Sequence, residues 1–259
     1  MLHDVKEDYV RSIKKYTSSY HENHFRSLAS KDFNGWPNPL EEKWRLSRLG
    51  ALSRIKMLPI KPDLKKVSDS NKKLGSYILK FVDGAFREDL SSELPTGISL
   101  KELNEKESLE FFHKIKESDL NNHPSTNVSL SCTPSIIKLT VNKDTNVKEL
   151  IEIFYEGGHQ NFSVHPVLYV ELKENSHLSL IENFNHFTSL VMPLQLTEIQ
   201  EKGSLKSIKI FDDNDDTYNL SAHCALLSKE ATFNSFSLVK GGIFTRSETH
   251  AYLNGTNAK

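Results

Sequence analysis

His21-Glu22-Asn23-His24 is the first group in this 259-residue chain whose residue types suit a metal. Two histidines that bind zinc from one helix face must sit four apart. These sit three apart and lack a third ligand, so they read as polar positions on an amphipathic helix. Asp212-Asp213-Asn214-Asp215-Asp216 has the composition of a calcium loop. A loop starting at Asp212 would need Gly at its sixth position and Glu at its twelfth. Those positions hold Thr217 and His223, so the segment reads as a solvated loop. His159, His165, His177 and His186 fall in one stretch without a short ligand pair. Cys132 and Cys224 are isolated and read as small buried hydrophobes. Gly157-Gly158 and Gly241-Gly242 lack the Lys-Ser/Thr of a phosphate loop and read as tight corners between strands. The sequence assigns no catalytic residue and no metal ligand, and it leaves cofactor-binding residues unknown.

The elements that position these residues follow from a repeat. Val141-Asn-Lys-Asp-Thr-Asn-Val147, Leu172-Lys-Glu-Asn-Ser-His-Leu178, Ile199-Gln-Glu-Lys-Gly-Ser-Leu205, Leu227-Ser-Lys-Glu-Ala-Thr-Phe233 and Leu253-Asn-Gly-Thr-Asn-Ala258 share one pattern. Each has an apolar residue, a polar pair, a turn-forming pair, and usually another apolar residue. Their starts lie 31, 27, 28 and 26 residues apart. That interval marks a solenoid, in which each repeat buries its apolar face against its neighbours. Alternation at Ile137-Leu139-Val141, Leu178-Leu180, Ile208-Ile210 and Phe236-Leu238 makes the repeats strands. No helical pattern separates them, so the expectation is a mainly β fold with a right-handed parallel β-helix. A β-sandwich is the competing arrangement.

Ahead of the repeats, residues 3–30 and 40–55 read as helices, broken by Asn34-Gly35-Trp36-Pro37. Residues 56–75 form a basic connector. Ser76–Val82 reads as a strand, with Asp83-Gly84 as a turn and Phe86 continuing a hairpin. A helix is expected over Leu100–Glu117. Asn121-Asn-His-Pro124 suggests a boundary between an N-terminal α-helical (α+β) domain, 1–123, and the β-helix core, 124–259. The last repeat stops at Lys259 without a polar cap, so the chain reads as incomplete at its C-terminus.

Lys plus Arg is 33 and Asp plus Glu is 34. This near balance gives no broad attraction to nucleic acid or to an anionic membrane. Two cysteines and a charged N-terminus without an apolar run point to the cytoplasm.

Two segments carry a resemblance. Pro39-Leu-Glu-Glu-Lys-Trp-Arg-Leu-Ser47 is similar to a Glu-Glu-Trp-Arg-Tyr-Thr element of the SufD family, with Lys43 inserted and Leu46-Ser47 for Tyr-Thr. Phe233-Asn-Ser-Phe-Ser-Leu-Val-Lys-Gly-Gly-Ile-Phe-Thr-Arg246 and Leu253-Asn-Gly255 resemble its Ser-Leu-x-x-Gly-Gly-x-x-x-Arg stretch and the Leu-x-Gly beyond. Thr197-Glu-Ile199 and Leu178–Glu182 match further coils. The likeness covers residues 39–259 and is strongest after 135.

The resemblance implies a non-enzymatic scaffold of the SufBCD complex, beside a SufB-like β-helix paralogue and a SufC-like ABC ATPase. The iron–sulfur cluster is built on that complex, and no cofactor is assigned to this chain. In the family, the ATPase-docking helices and the cysteine and histidine tied to cluster assembly lie beyond the matched stretch. Gly241, Gly242, Gly255 and Arg246 match the pattern and read as structural, with Arg246 bonding carbonyls at a coil corner. The alternatives are a β-helix enzyme acting on polysaccharide through carboxylates such as Asp212–Asp216, or a generic β-solenoid protein-binding module.

Overall fold

A computed structural model describes residues 11, 24–33, 42–45, 47, 58–62 and 74–259. Most of the two expected N-terminal helices and of the basic connector lie outside these residues. Within them, α1 spans His24–Asp32, and Glu42–Trp44 forms a single 3-10 turn. The strands up to the first repeat are β1 Leu58–Pro59, β2 Tyr77–Val82, β3 Ala85–Phe86 and β4 Ile98–Glu102. Two helices follow, α2 Glu105–Lys116 and α3 Pro124–Cys132. The remaining strands are β5 Ile136–Val141, β6 Asn146–Gly157, β7 Phe162–Val164, β8 Val167–Leu172 and β9 His177–His186. After them come β10 Leu190–Val191, β11 Leu194–Ile199, β12 Ser204–Phe211, β13 Tyr218–Leu227, β14 Thr232–Val239 and β15 Phe244–Leu253.

The strands stack as a parallel β-solenoid of about four turns. One face runs β5, β8, β11, β13, β15, and a second runs β2, β6, β9, β12, β14. The sequence repeat is the physical ladder of this stack. Val141, Leu172, Ile199, Leu227 and Leu253, which open the five copies, sit in register on neighbouring strands. Leu178, Leu205 and Phe233, from the other end of the pattern, form a second ladder. Each turn between them holds one residue in the left-handed region: Asp144, Asn175, Lys202, Glu230 and Asn257, with φ between 53° and 59°. Asn and Asp tolerate that conformation best, which explains the polar turn pairs. The turns also bond to one another: Asp144 N–H donates to Glu174 O, Asn175 N–H to Glu201 O, and Lys202 N–H to Lys229 O. The first interval is the longest because β6 carries a register shift between Asn146 and Leu150.

An aromatic ladder fills the interior. Phe81, Tyr155, Phe184 and Phe211 are in register, with ring centroids 4.9, 4.6 and 4.8 Å apart. The neighbouring ladder changes character along the stack. Leu79 and Ile153 are followed by Glu182, Lys209 and Ser237.

The outer face of the β5–β8–β11–β13 sheet is covered by the helices. Phe25, Ala29, Phe111, Phe112 and Ile115 pack against Val167, Tyr169, Leu194, Leu196, Ala222 and Cys224. The expected helix over Leu100–Glu117 begins later than its pattern suggests. Leu100–Glu102 belong to β4, which pairs antiparallel with β5. The helix starts at the Asn104 capping box, in which Asn104 Oδ1 accepts from Glu107 N–H at 3.0 Å. Helix α3 was not expected. It is rich in Ser and Thr, which disfavour helix interiors unless their hydroxyls find backbone partners. Here they do: Ser129 Oγ donates to Met192 O at 2.7 Å and Ser131 Oγ to Asn127 O at 2.6 Å. The expected hairpin is present as β2–β3, and β2 also lies parallel to β6.

Candidate functional site

The two segments that carry the resemblance meet in space. Arg246, on β15, places its guanidinium 4.0 Å from the ring centre of Trp44. It donates to Lys43 O at 3.0 Å and also to Ser47 Oγ. It therefore does bond a carbonyl, but one some 200 residues away in sequence rather than at a coil corner. Its Nε donates to Glu248 Oε1. Arg246, Glu248, His250 and Tyr252 alternate along β15, so the pleat turns all four toward the helical layer. From that layer, His123 Nε2 lies 3.5 Å from Glu248 Oε1 and its ring meets Trp44 edge-on at 5.7 Å. His123 Nδ1 bonds Ser125 Oγ at 2.7 Å, and Asp119 N–H donates to Tyr252 Oη at 2.6 Å. Glu248 Oε2 lies 3.4 Å from His250 Nε2.

Electrostatically this is a latch. His123 first, and Arg246 after it, hold the Glu248 carboxyl down at about 2. Trp44, Ser47 and His123 are buried. Cys224 lies one strand away, in register with His250. Burial pushes its thiol up to about 11, and burial also raises the Cys132 thiol, so both stay protonated and weakly nucleophilic.

The glycines of the matched pattern mark close approaches. A Cβ on Gly241 would fall 2.1 Å from Asp213 O, and one on Gly255 would fall 2.1 Å from Lys229 N. Gly242 has φ of +85°, where side chains strain the backbone.

The four solenoid histidines are not gathered. His159 is exposed and His177 is half-buried at a turn. His165 is buried, bonds Ser163 Oγ at 2.8 Å, and burial lowers its imidazole to about 3. His186 is buried against Asp213, with Nδ1 2.8 Å from Oδ1. The Asp212–Asp216 segment is thus not wholly solvated. Asp213 turns inward, where Asn219 Nδ2 donates to it at 2.7 Å and His186 holds its carboxyl low against the opposing effect of burial. Asp212, Asp215 and Asp216 face solvent. Among the described residues, no three His, Cys, Asp or Glu are grouped so as to hold a metal ion.

A second polar group lies inside the solenoid. Lys209 Nζ is within 3.7 Å of Glu182 Oε2 and donates to Gln195 Oε1. Tyr155 Oη donates to Glu182 Oε1 at 3.3 Å, and Thr197 Oγ1 bonds His223 Nε2 at 2.8 Å. Burial lowers the Lys209 ammonium and lowers His223 well below its usual value, so His223 is neutral. These groups are shut off from solvent, and the contacts join the two sheets across the interior as well as neighbouring coils.

Fold and latch define a β-solenoid whose outer face is clasped by an N-terminal helical layer. Residues 154–259 match the family described as SUF system FeS cluster assembly, SufBD core domain. The matched stretch runs from β6 through β15 and contains Arg246 and all three glycines. That segment is therefore similar to the SufB/SufD core domain, a family described as acting in iron–sulfur cluster assembly by the SUF system. No curated protein matches the chain. Among the described residues, no helix is long and apolar enough to cross a membrane.

Proposed function

We propose that this chain is a non-catalytic scaffold subunit of a SufBCD-type complex, of the SufD kind. In this reading iron and sulfide are cargo of the assembly. The observation that carries the reading is the SufBD core match laid over the stacked coils, with Arg246 of that match clasping the Trp44 segment. The buried, protonated Cys132 and Cys224 suit a supporting subunit better than a sulfur-accepting one.

A partner surface is available at the last coil. β14 and β15 are the outermost strands of their sheets among the described residues. Phe236, Leu238, Val239 and Leu253 are exposed there. Phe236 and Leu238 stand on the outer face of β14, beside Ile208 on β12, and an exposed apolar cluster of this kind favours a protein partner such as a SufB-like paralogue. A SufC-like ABC ATPase completes the complex, which acts in the cytoplasm. The helical layer of α1, α2 and α3 then serves to brace the coils.

Tagging the protein in its source cells and identifying its companions tests this. Recovery of a SufB-like protein with an ABC ATPase is expected. A protein of intact mass that purifies without either overturns the reading.

A further inference from the structure

The opposite end of the stack holds a cleft of about 840 Å³ between the β2–β3 hairpin and β4. Half-buried Phe86, Leu94 and Leu100 expose apolar surface along it, over Leu79, Ile98 and Ile137, inner residues of the first coil that are almost fully covered. Its rim is acidic. Glu88, Glu93 and Glu102 line it, are exposed, and make no ion pair among the described residues. The lysine at the rim, Lys101, is already paired with Glu107. One wall is a strand edge. Among the described residues, β4 is the last strand of its sheet and pairs with β5 on one side alone. Its five residues offer roughly 17 Å of open backbone donors and acceptors.

We propose that this cleft takes an extended, basic segment of a partner protein, which adds a strand to the free edge of β4. Alternation explains the choice of occupant. A strand laid on β4 turns every second side chain toward the apolar floor and the others outward. Three carboxylates unpaired among the described residues, against one neutralised lysine, select Lys or Arg where the segment passes the rim, with Glu102 on the face it shares with Ile98 and Leu100. A helix would leave the β4 edge unpaired, and an acidic segment would meet like charge. This site is separate from the last coil and does not depend on the SUF assignment.

The test uses the full chain and an acetylated, amidated Lys-Val-Lys-Leu-Lys-Val-Lys peptide. Binding is followed by fluorescence anisotropy and by amide shifts of β4. The expected result is saturable, salt-weakened binding that shifts Leu100 and Glu102. The variant carrying Glu88→Lys, Glu93→Lys and Glu102→Lys should weaken it about tenfold or more. A peptide N-methylated along its bonding edge should bind equally poorly. If the triple variant does not fold, Glu102→Lys alone carries the comparison. Equal binding of a Glu-Val-Glu-Leu-Glu-Val-Glu peptide, or unshifted β4 amides, would overturn the proposal. So would self-association through β4 that the charge reversals abolish, since that gives the cleft to a second copy.

Discussion

The two ends of the solenoid are built differently. At the first coil the parallel pattern is interrupted by antiparallel strands, with β3 folding back on β2 and β4 running against β5. Their turns cover the interior, and Leu79, Ile137 and Val141 are almost fully buried. The last described coil, β14 and β15, is parallel throughout and has a neighbouring coil on one side among the described residues. Leu253 occupies the same ladder as Val141 but is 59% exposed. Ser235, Ser237, Ser247 and Thr249 occupy the positions in register with inner residues of the coil before. The lesson is that a ladder position has no fixed energetic value. Its contribution depends on whether a coil lies on both sides.

The largest effect should come from the middle of that ladder. Ile199→Ala removes buried methyl groups flanked by Leu172 and Leu227, and should cost about 3 kcal/mol in chemical denaturation. A loss below about 1 kcal/mol would mean that the coils do not depend on one another. Next is the latch. Arg246→Ala strands the Glu248 carboxylate beside His123 and uncovers Trp44, for roughly 2 kcal/mol. Hydrogen exchange should speed up along β15 while β5 stays protected. Equal acceleration of both would show that the latch acts on the whole stack.

Acidification sharpens the contrast further. His165 and His223 are held neutral by burial, whereas the unfolded chain binds protons below about pH 6.5. Stability should therefore fall as pH drops below 6.5, for His165 down to about 3. Glu248 works in a lower window. Its contribution is full above its ordinary value of 4.5 and is lost as pH falls toward about 2. His165→Gln should lessen the slope between pH 6 and 4 by about 1.4 kcal/mol per pH unit. An unchanged slope would mean that His165 is solvated. The smallest effect belongs to Leu253→Ala, which should cost less than about 0.5 kcal/mol although it shares the ladder of Ile199.

The second half of the fold is legible in the sequence because its repeat is physical. Val141 through Leu253 touch in order, and the turn between each pair needs a residue that accepts positive φ. The first half is less legible. β2 joins the stack without any copy of the repeat, since antiparallel strands rather than repeat turns close that end. α3 is hidden because its hydroxyls bond locally and to a neighbouring carbonyl, which composition does not reveal. The capping pattern Asn104-x-x-Glu107, which the expected span Leu100–Glu117 overlooks, marks the true start of α2. The Arg246–Trp44 latch links residues about 200 apart. Resemblance marks both segments as notable, but only the fold brings them together. Asp213 and His186 likewise meet through register, 27 residues apart.

The most direct test is hydrogen exchange of the protein alone and mixed with a SufB-like partner. The account expects new protection across residues 232–253, on β14 and β15, with β4 unchanged. Binding that leaves 232–253 unprotected, or no binding by the intact chain, would contradict it.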